Sequence, residues 1–307
     1  METMYLTHPA CRLHEMGSWH PESPQRLDAI SDQLLASGLM PYLDDRQAPQ
    51  ASRHDVLRVH TVQYLDSLRE HTPEHGYYPI DPDTLMNPHT YEAALYAAGA
   101  GVAAVDAVMG GEARTAFCAV RPPGHHACRS QAMGFCFLNN VAIAARHAME
   151  FHGLSRVAIV DFDVHHGNGT EDVFAGDERV LMCSIFQHPF FPNSGTEQPA
   201  ANMVNVPVAA YTAGAAVRTI VTDTWLPRLE AHRPELILIS AGFDAHREDD
   251  MGQMGLVEAD YAWITEQLVD VAERHCQGRI VSTLEGGYNL SALGRSVVAH
   301  IRALAKL

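Results

Sequence analysis

The sequence predicts an α/β fold: one domain built on a mainly parallel sheet with helices on both faces. Three observations carry that prediction. Short, nearly continuous apolar runs recur along the chain, longer segments of helical periodicity stand between them, and no internal repeat or Pro/Gly/Ser-rich linker divides the 307 residues. Strands buried on both faces lose the alternation of inner and outer residues and read as unbroken apolar runs. Their alternation with helices argues for a parallel sheet.

In chain order, helical spacing predicts helices over Pro24–Ala36, Asp55–Arg69 and Tyr91–Met109. The run TAFCAV predicts a strand at Thr115–Val120, and a helix follows at Leu138–Phe151. VAIVDF and VLMCSI predict strands at Val157–Phe162 and Val180–Ile185. A helix at Ala213–Leu229 leads to the strand LILIS at Leu236–Ser240, and a helix at Glu258–Arg274 leads to the strand IVSTL at Ile280–Leu284. The last helix is predicted at Ser291–Ala305.

Composition narrows the function classes. Hydrophobic residues make up 47% of the chain, too many for a disordered protein. Lys and Arg number 21 against 37 Asp and Glu, a net charge of −16, whereas a duplex-binding surface carries the opposite sign. Direct nucleic-acid binding is therefore not expected, and long-range attraction would favour a cationic partner. Met1–Gly17 has no apolar run of the secretory kind. The most apolar stretch, Ala93–Val105, is followed at once by Asp106 and is too short to cross a bilayer. Six cysteines occur without a CxxC pair, as in a reduced compartment. Together these predict a cytoplasmic protein with no membrane partner; the sequence fixes no oligomeric state. Cys128 and Cys136 flank a motif taken up below.

Ligands of parallel sheets bind beyond the carboxyl ends of strands, so the residues that follow each predicted strand test for a site. Four ends deliver polar groups: Arg121-Pro-Pro-Gly-His125-His126, Asp161-Phe-Asp163-Val-His165-His166-Gly-Asn168, Ala241-Gly-Phe-Asp244 and Glu285-Gly-Gly-Tyr288. Asp161, Asp163 and His165 stand at every second position, which in extended backbone puts their side chains on one face. Asp244, at another strand end, can complete a set of protein ligands. Two carboxylates and an imidazole leave a coordination position open for water or substrate, as catalytic zinc sites do; Fe(II), Co(II) and Mn(II) also suit such oxygen-rich donors. His125 and His126, after a Pro-Pro-Gly turn, suit proton transfer beside a metal, with Asp161 and Asn168 available to orient their rings. Tyr288 follows two glycines that can let its phenol turn inward as an oxyanion donor.

These segments together resemble the histone deacetylase family, including its bacterial deacetylase-like amidohydrolases and acetylpolyamine amidohydrolases. The matching text is HPESPQR (20–26), RPPGHHA (121–127), GFCFLNN (134–140), VDFDVHHGNGTEDVF (160–174), SAGFDAH (240–246) and LEGGYN (284–289), in order over nearly the whole chain. The resemblance implies the arginase/deacetylase fold and zinc-dependent hydrolysis of acyl-amides of lysine or related amines. It implies that Asp163, His165 and Asp244 hold zinc, that His126 is the general base and acid, and that His125 is its charge-stabilising partner. It places Asp161 behind His125 and Tyr288 on the substrate carbonyl. It implies that Phe135 and Phe191 wall an acyl-lysine tunnel, that Gly134 offers a backbone acceptor there, and that Arg26 lines an internal cavity for acetate. It also implies a K+ or Na+ site from Asp161, Asp163, His165 and Ser184. Many class I members carry Asp where this chain has Asn168, so the chain stands nearer the class II-like branch, and an amide raises the His126 pKa less than a carboxylate would.

Met251 stands where polyamine-selective relatives carry Glu and protein-lysine deacylases carry Met or Leu, which favours acylated lysine in a peptide or protein over an acetylpolyamine or another small acyl-amide. Two further readings are an arginase-like dinuclear ureohydrolase and a non-catalytic acyl-lysine binder. The first wants extra carboxylate ligands where Asn168 and His246 stand, and the second leaves an intact ligand set, His pair and Tyr288 unexplained.

Overall fold

The structure is a computed structural model that describes residues 3–307. Of the N-terminal segment read above for a leader, Met1 and Glu2 lie outside the described residues. The chain runs β1 (Thr3–Thr7), α1 (Gln25–Ala36), β2 (Leu43–Gln47), α2 (Arg53–Leu57), α3 (Val62–Glu70), β3 (Tyr78–Pro79), β4 (Leu85–Met86), α4 (Thr90–Gly110), β5 (Thr115–Cys118), α5 (Asn140–Glu150), β6 (Val157–Asp161) and α6 (Asn168–Phe174). It continues with β7 (Val180–Gln187), β8 (Met203–Val208), α7 (Gly214–Ile220), α8 (Leu226–His232), β9 (Leu236–Ala241), α9 (Glu258–His275), β10 (Ile280–Leu284) and α10 (Leu290–Ala305). Eight strands form one sheet in the order β2-β1-β5-β10-β9-β6-β7-β8. Every neighbouring pair in it is parallel.

The α/β class and the parallel sheet are as the sequence predicts. All five predicted strands are present, and the central ones (TAFC, VAIVD, LILISA and IVSTL) are buried at every position. The strands that the sequence hides are at the sides. β2 (LDDRQ) and β8 (MVNVPV) close the two edges, where polar faces meet solvent and Pro207 is tolerated for want of a central ladder. β1 (TMYLT) is buried but too short and Thr-rich to read as an apolar run.

Helix boundaries shift for local reasons. The predicted helix 55–69 is two helices, because Thr61 caps the second by accepting from Tyr64 N at 3.3 Å. The helix over 213–229 includes a π turn at Val221–Trp225 and continues to His232. α4 corrects the length argument made from Ala93–Val105. At 21 residues it is long and apolar enough to cross a membrane. However, 61% of its most apolar window is buried inside the protein, where the helix packs on α5 and β5.

The order of the sheet positions the site. The strands that end in the four polar segments are β5, β10, β9 and β6, which are consecutive neighbours in the middle of the sheet. With strands about 4.8 Å apart, three intervals bring all four ends within roughly 14 Å.

Candidate active site

The loop after β6 is built by its own carboxylates. Asp161 Oδ1 accepts from Asp163 N at 3.1 Å, and Asp163 Oδ1 accepts from His165 N at 2.9 Å. Each aspartate thus caps the amide two residues on, a turn device, and the segment is not the extended strand expected from the alternate spacing. That difference separates the three side chains. Asp161 Oδ2 accepts from His125 Nδ1 at 2.8 Å, while Asp163 and His165 turn toward Asp244. His165 Nδ1 lies 3.0 Å from Asp163 Oδ1 and 3.2 Å from Asp244 Oδ2. All three residues are buried, and their ligand atoms lie within 4.8 Å of one another.

This group fits a divalent metal on its own geometry. Asp244 Oδ2 is buried and, among the described residues, accepts no directed hydrogen bond; its other oxygen accepts from Val164 N at 2.8 Å. Two glycines make room for the carboxylates. A Cβ on Gly242 would lie 2.0 Å from Asp163 Oδ2, and one on Gly286 would lie 2.1 Å from Asp244 Oδ2. Gly286 N also donates to Asp163 Oδ2 at 2.8 Å. A second His/Asp group, Asp106 with His147 and His152, lies toward the surface between α4 and α5. There the Arg58 guanidinium occupies His147 Nδ1 at 3.1 Å, and Asp106 Oδ1 accepts from both imidazoles at 2.6 and 2.7 Å, a satisfied network without an ion.

The charges of the metal group follow from its burial. Desolvation lowers the His165 pKa, but the hydrogen bond to Asp163 and the close Asp244 carboxylate outweigh it and raise the pKa to about 10. Burial and then the Asp163 charge push the Asp244 carboxyl up to about 7. A metal must displace these protons, so binding is expected to tighten as pH rises from 6 to 8, by about one decade per pH unit for each proton displaced. Calorimetric titration of zinc in buffers of different ionisation enthalpy measures both the affinity and the proton release. Equal affinity at pH 6 and pH 8 would contradict this proton inventory.

Beside the metal group stand two imidazoles. His126 Nδ1 donates to Asn168 Oδ1 at 2.7 Å, and the two rings lie 4.1 Å apart. Burial drives the His126 pKa well down, and charge on His125 and His165 drives it further. Burial acts the same way on His125, but Asp161, Asp163 and Glu285 outweigh it and raise that pKa well above the ordinary value. The pair therefore splits into a charged His125 and a neutral His126. Glu285 fixes their turn: its buried carboxylate accepts from Gly124 N at 2.7 Å, His125 N at 3.0 Å and Ser240 Oγ at 3.1 Å.

Tyr288, after Gly286 and Gly287, is held by its backbone. Its N–H and that of Asn289 donate to Asp249 Oδ2 at 2.6 and 2.9 Å. Burial and then the Asp244 carboxylate push its phenol well up, so it stays a donor. Gly134, Phe135, Phe191, Met251, His126, His165 and Tyr288 line one cavity of about 220 Å³. The Phe135 ring meets Tyr288 edge-on at 6.0 Å, and the Phe191 ring meets His126 at 5.1 Å. Gly134 has φ +55°, and a Cβ there would lie 2.5 Å from His126 Cδ2, so the backbone runs directly against the imidazole.

Arg26, implied above to line an acetate cavity, stands between α1 and the Tyr288 loop. It is fully buried; Nε donates to Gly287 O at 2.6 Å, Nη2 to Glu285 O at 2.5 Å and Nη1 to Glu22 Oε1 at 3.0 Å, and the guanidinium sits 4.9 Å from the Tyr288 ring centre. It ties α1 to the Tyr288 loop. Ser184 Oγ is buried and has no hydrogen bond among the described residues, and Ser184 pairs with Asp161 in the β6–β7 register.

Sequence reasoning missed several contributors. Phe190 lines the same cavity and stacks on His165 at 5.3 Å, and Asp83 and Asp250 line its mouth. The aromatic pair Phe190-Phe191 was a usable signal; Asp83, from the short β3–β4 hairpin, and Asp249 carried none.

Comparisons with known proteins agree with this geometry. The family model described as histone deacetylase domain matches residues 20–304. Histone deacetylase-like amidohydrolase of Pseudomonas aeruginosa is 39% identical over 88% of this chain and 73% of its own length. Type-2 histone deacetylase 2 of Dictyostelium discoideum is 34% identical over 99% of this chain, which spans only 21% of that protein's length. The crystal structure of the HDA15 HD domain superposes with a TM-score of 0.94 at 34% identity, covering 99% of this chain and 90% of that one.

Proposed function

Because the chain belongs to the histone deacetylase family, whose members are metal-dependent deacetylases, we propose that it is a zinc-dependent amidohydrolase removing acetyl or other short acyl groups from lysine side chains. One observation carries this reading: His165 of the three-ligand group, His126 of the imidazole pair and the Tyr288 phenol line one cavity with aromatic walls. A zinc ion held by Asp163, His165 and Asp244 would supply Lewis acidity and a water of lowered pKa.

The chain's own residues do the rest. Phe135 and Phe191 admit the apolar stem of the acylated side chain and exclude bulk water. Tyr288, kept protonated, donates to the acyl oxygen as negative charge builds on it. His126, protonated at Nδ1 by its bond to Asn168, presents an unprotonated Nε2, which takes a proton from the attacking water and returns it to the leaving amine. His125, held charged by Asp161, stabilises the charge that develops. The products are a carboxylate and a free amine. A K+ or Na+ ion at Asp161, Asp163, His165 and Ser184 belongs to the same reading; its support is the unpaired, buried Ser184 Oγ. Six free thiols support a cytoplasmic setting.

The dinuclear reading finds less support. Asn168 is engaged with His126, and among the described residues the ligand group of Asp163, His165 and Asp244 does not include His246. Substrate choice is tested by competing acetyl-lysine peptides, longer acyl-lysines, acetylated polyamines and small amides. Acetyl-lysine peptides are expected to turn over fastest, with Met251→Glu moving the preference toward acetylpolyamines by about tenfold, ~1.4 kcal/mol. Faster turnover of acetylpolyamine by the unaltered protein would replace the lysine reading with the polyamine one.

A further inference from the structure

The direction in which Asn168 holds His126 depends on which end of its amide faces the ring. With Oδ1 toward Nδ1, as here at 2.7 Å, the imidazole carries its proton on Nδ1 and leaves Nε2 free. With the amide turned over, its N–H groups would face Nδ1 and favour the opposite tautomer, which cannot accept a proton at Nε2. Something must therefore distinguish the two ends of the amide. The far end, Nδ2, lies 3.4 Å from Met133 Sδ and 3.5 Å from Cys128 Sγ. A thioether has no hydrogen to give, so Met133 can only accept. A thiol can act either way, but the Cys128 hydrogen is directed to His126 O at 3.7 Å, which leaves the sulfur lone pairs for Asn168. Both sulfurs thus favour the amide nitrogen over the amide oxygen.

We propose that Met133 and Cys128 are positioning residues for the His126 base, acting through Asn168: their sulfur atoms hold the amide with its oxygen toward the imidazole and so select the Nδ1-protonated tautomer. A carboxylate at position 168 would need no such selection, because both of its oxygens accept; an amide does. The inference rests on the deacylase reading only for its kinetic consequence, since the ring tautomer is a property of the protein itself.

The test uses the full-length zinc-loaded protein with 15N-labelled histidine. Nitrogen chemical shifts report the His126 tautomer at neutral pH, and acetyl-lysine amide turnover is measured alongside. The unaltered protein is expected to show one tautomer, protonated at Nδ1. Met133→Leu combined with Cys128→Ala is expected to show a mixture and to lower kcat about five-fold with KM unchanged, the scale of a lost weak hydrogen bond. Should the double variant fail to fold, Met133→Leu alone gives the same readout. In an Asn168→Asp background the sulfur substitutions are expected to change neither tautomer nor kcat. An unmixed tautomer in the sulfur variants, or an equal kcat loss in the Asn168→Asp background, would overturn the proposal. If the unaltered protein fails to turn over acetyl-lysine amide, the substrate reading falls, and the ring tautomer still decides this one.

Discussion

Tyr288→Phe is expected to lower kcat for acetyl-lysine amide hydrolysis by about 10²–10³-fold, the scale for losing one oxyanion donor. KM should change little, because the phenol acts on charge that develops after binding. The fold should survive, since Tyr288 is held by its backbone: Asp249 accepts its N–H, and Arg26 grips the preceding carbonyls of Glu285 and Gly287. Among the described residues its hydroxyl makes no hydrogen bond, so removing it leaves no buried partner stranded. Steady-state kinetics with a thermal melt check this. Near-normal kcat in a folded variant would remove Tyr288 from the chemistry.

Gly286→Ala is expected to weaken metal binding strongly with a single methyl group. Its Cβ would fall 2.1 Å from Asp244 Oδ2 and 2.7 Å from Asp163 Oδ2, far inside contact distance of both carboxylates. Because the neighbouring atoms belong to buried, close-packed groups, they cannot yield cheaply. Zinc affinity should fall at least about a hundredfold, equivalent to ~2.7 kcal/mol, and hydrolysis should fall with it. Gly110→Ala, where the added Cβ meets nothing within 4 Å, is the matched control and should bind metal normally. Calorimetric titration of both variants decides it. Unchanged affinity in Gly286→Ala would mean that the ion is held elsewhere.

How far the site was legible can be judged from particular residues. The central strands were readable because burial on both faces makes VAIVD and LILIS unbroken apolar runs, and the same strands carry Asp161, Asp163 and Asp244 at or beyond their ends. Reading the residue after each strand therefore found much of the site. The edge strands were not readable: LDDRQ has no apolar signal, and MVNVPV contains a proline that argues against a central strand. Alternate spacing suggested that Asp161, Asp163 and His165 share one face. The turns made by their own carboxylates instead send Asp161 to His125. The parts supplied by distant segments, such as Asp83 at the cavity mouth or Asp249 beneath the Tyr288 loop, depend on tertiary contacts that no local pattern records.

The most direct measurement of the central claim is a titration of zinc into the metal-free protein, with acetate release from an acetyl-lysine peptide as the readout. One ion held by Asp163, His165 and Asp244 should make activity rise in proportion to added zinc and level off at one zinc per chain. Activity that keeps climbing to two ions per chain, or no acetate at any loading, would contradict a mononuclear deacylase.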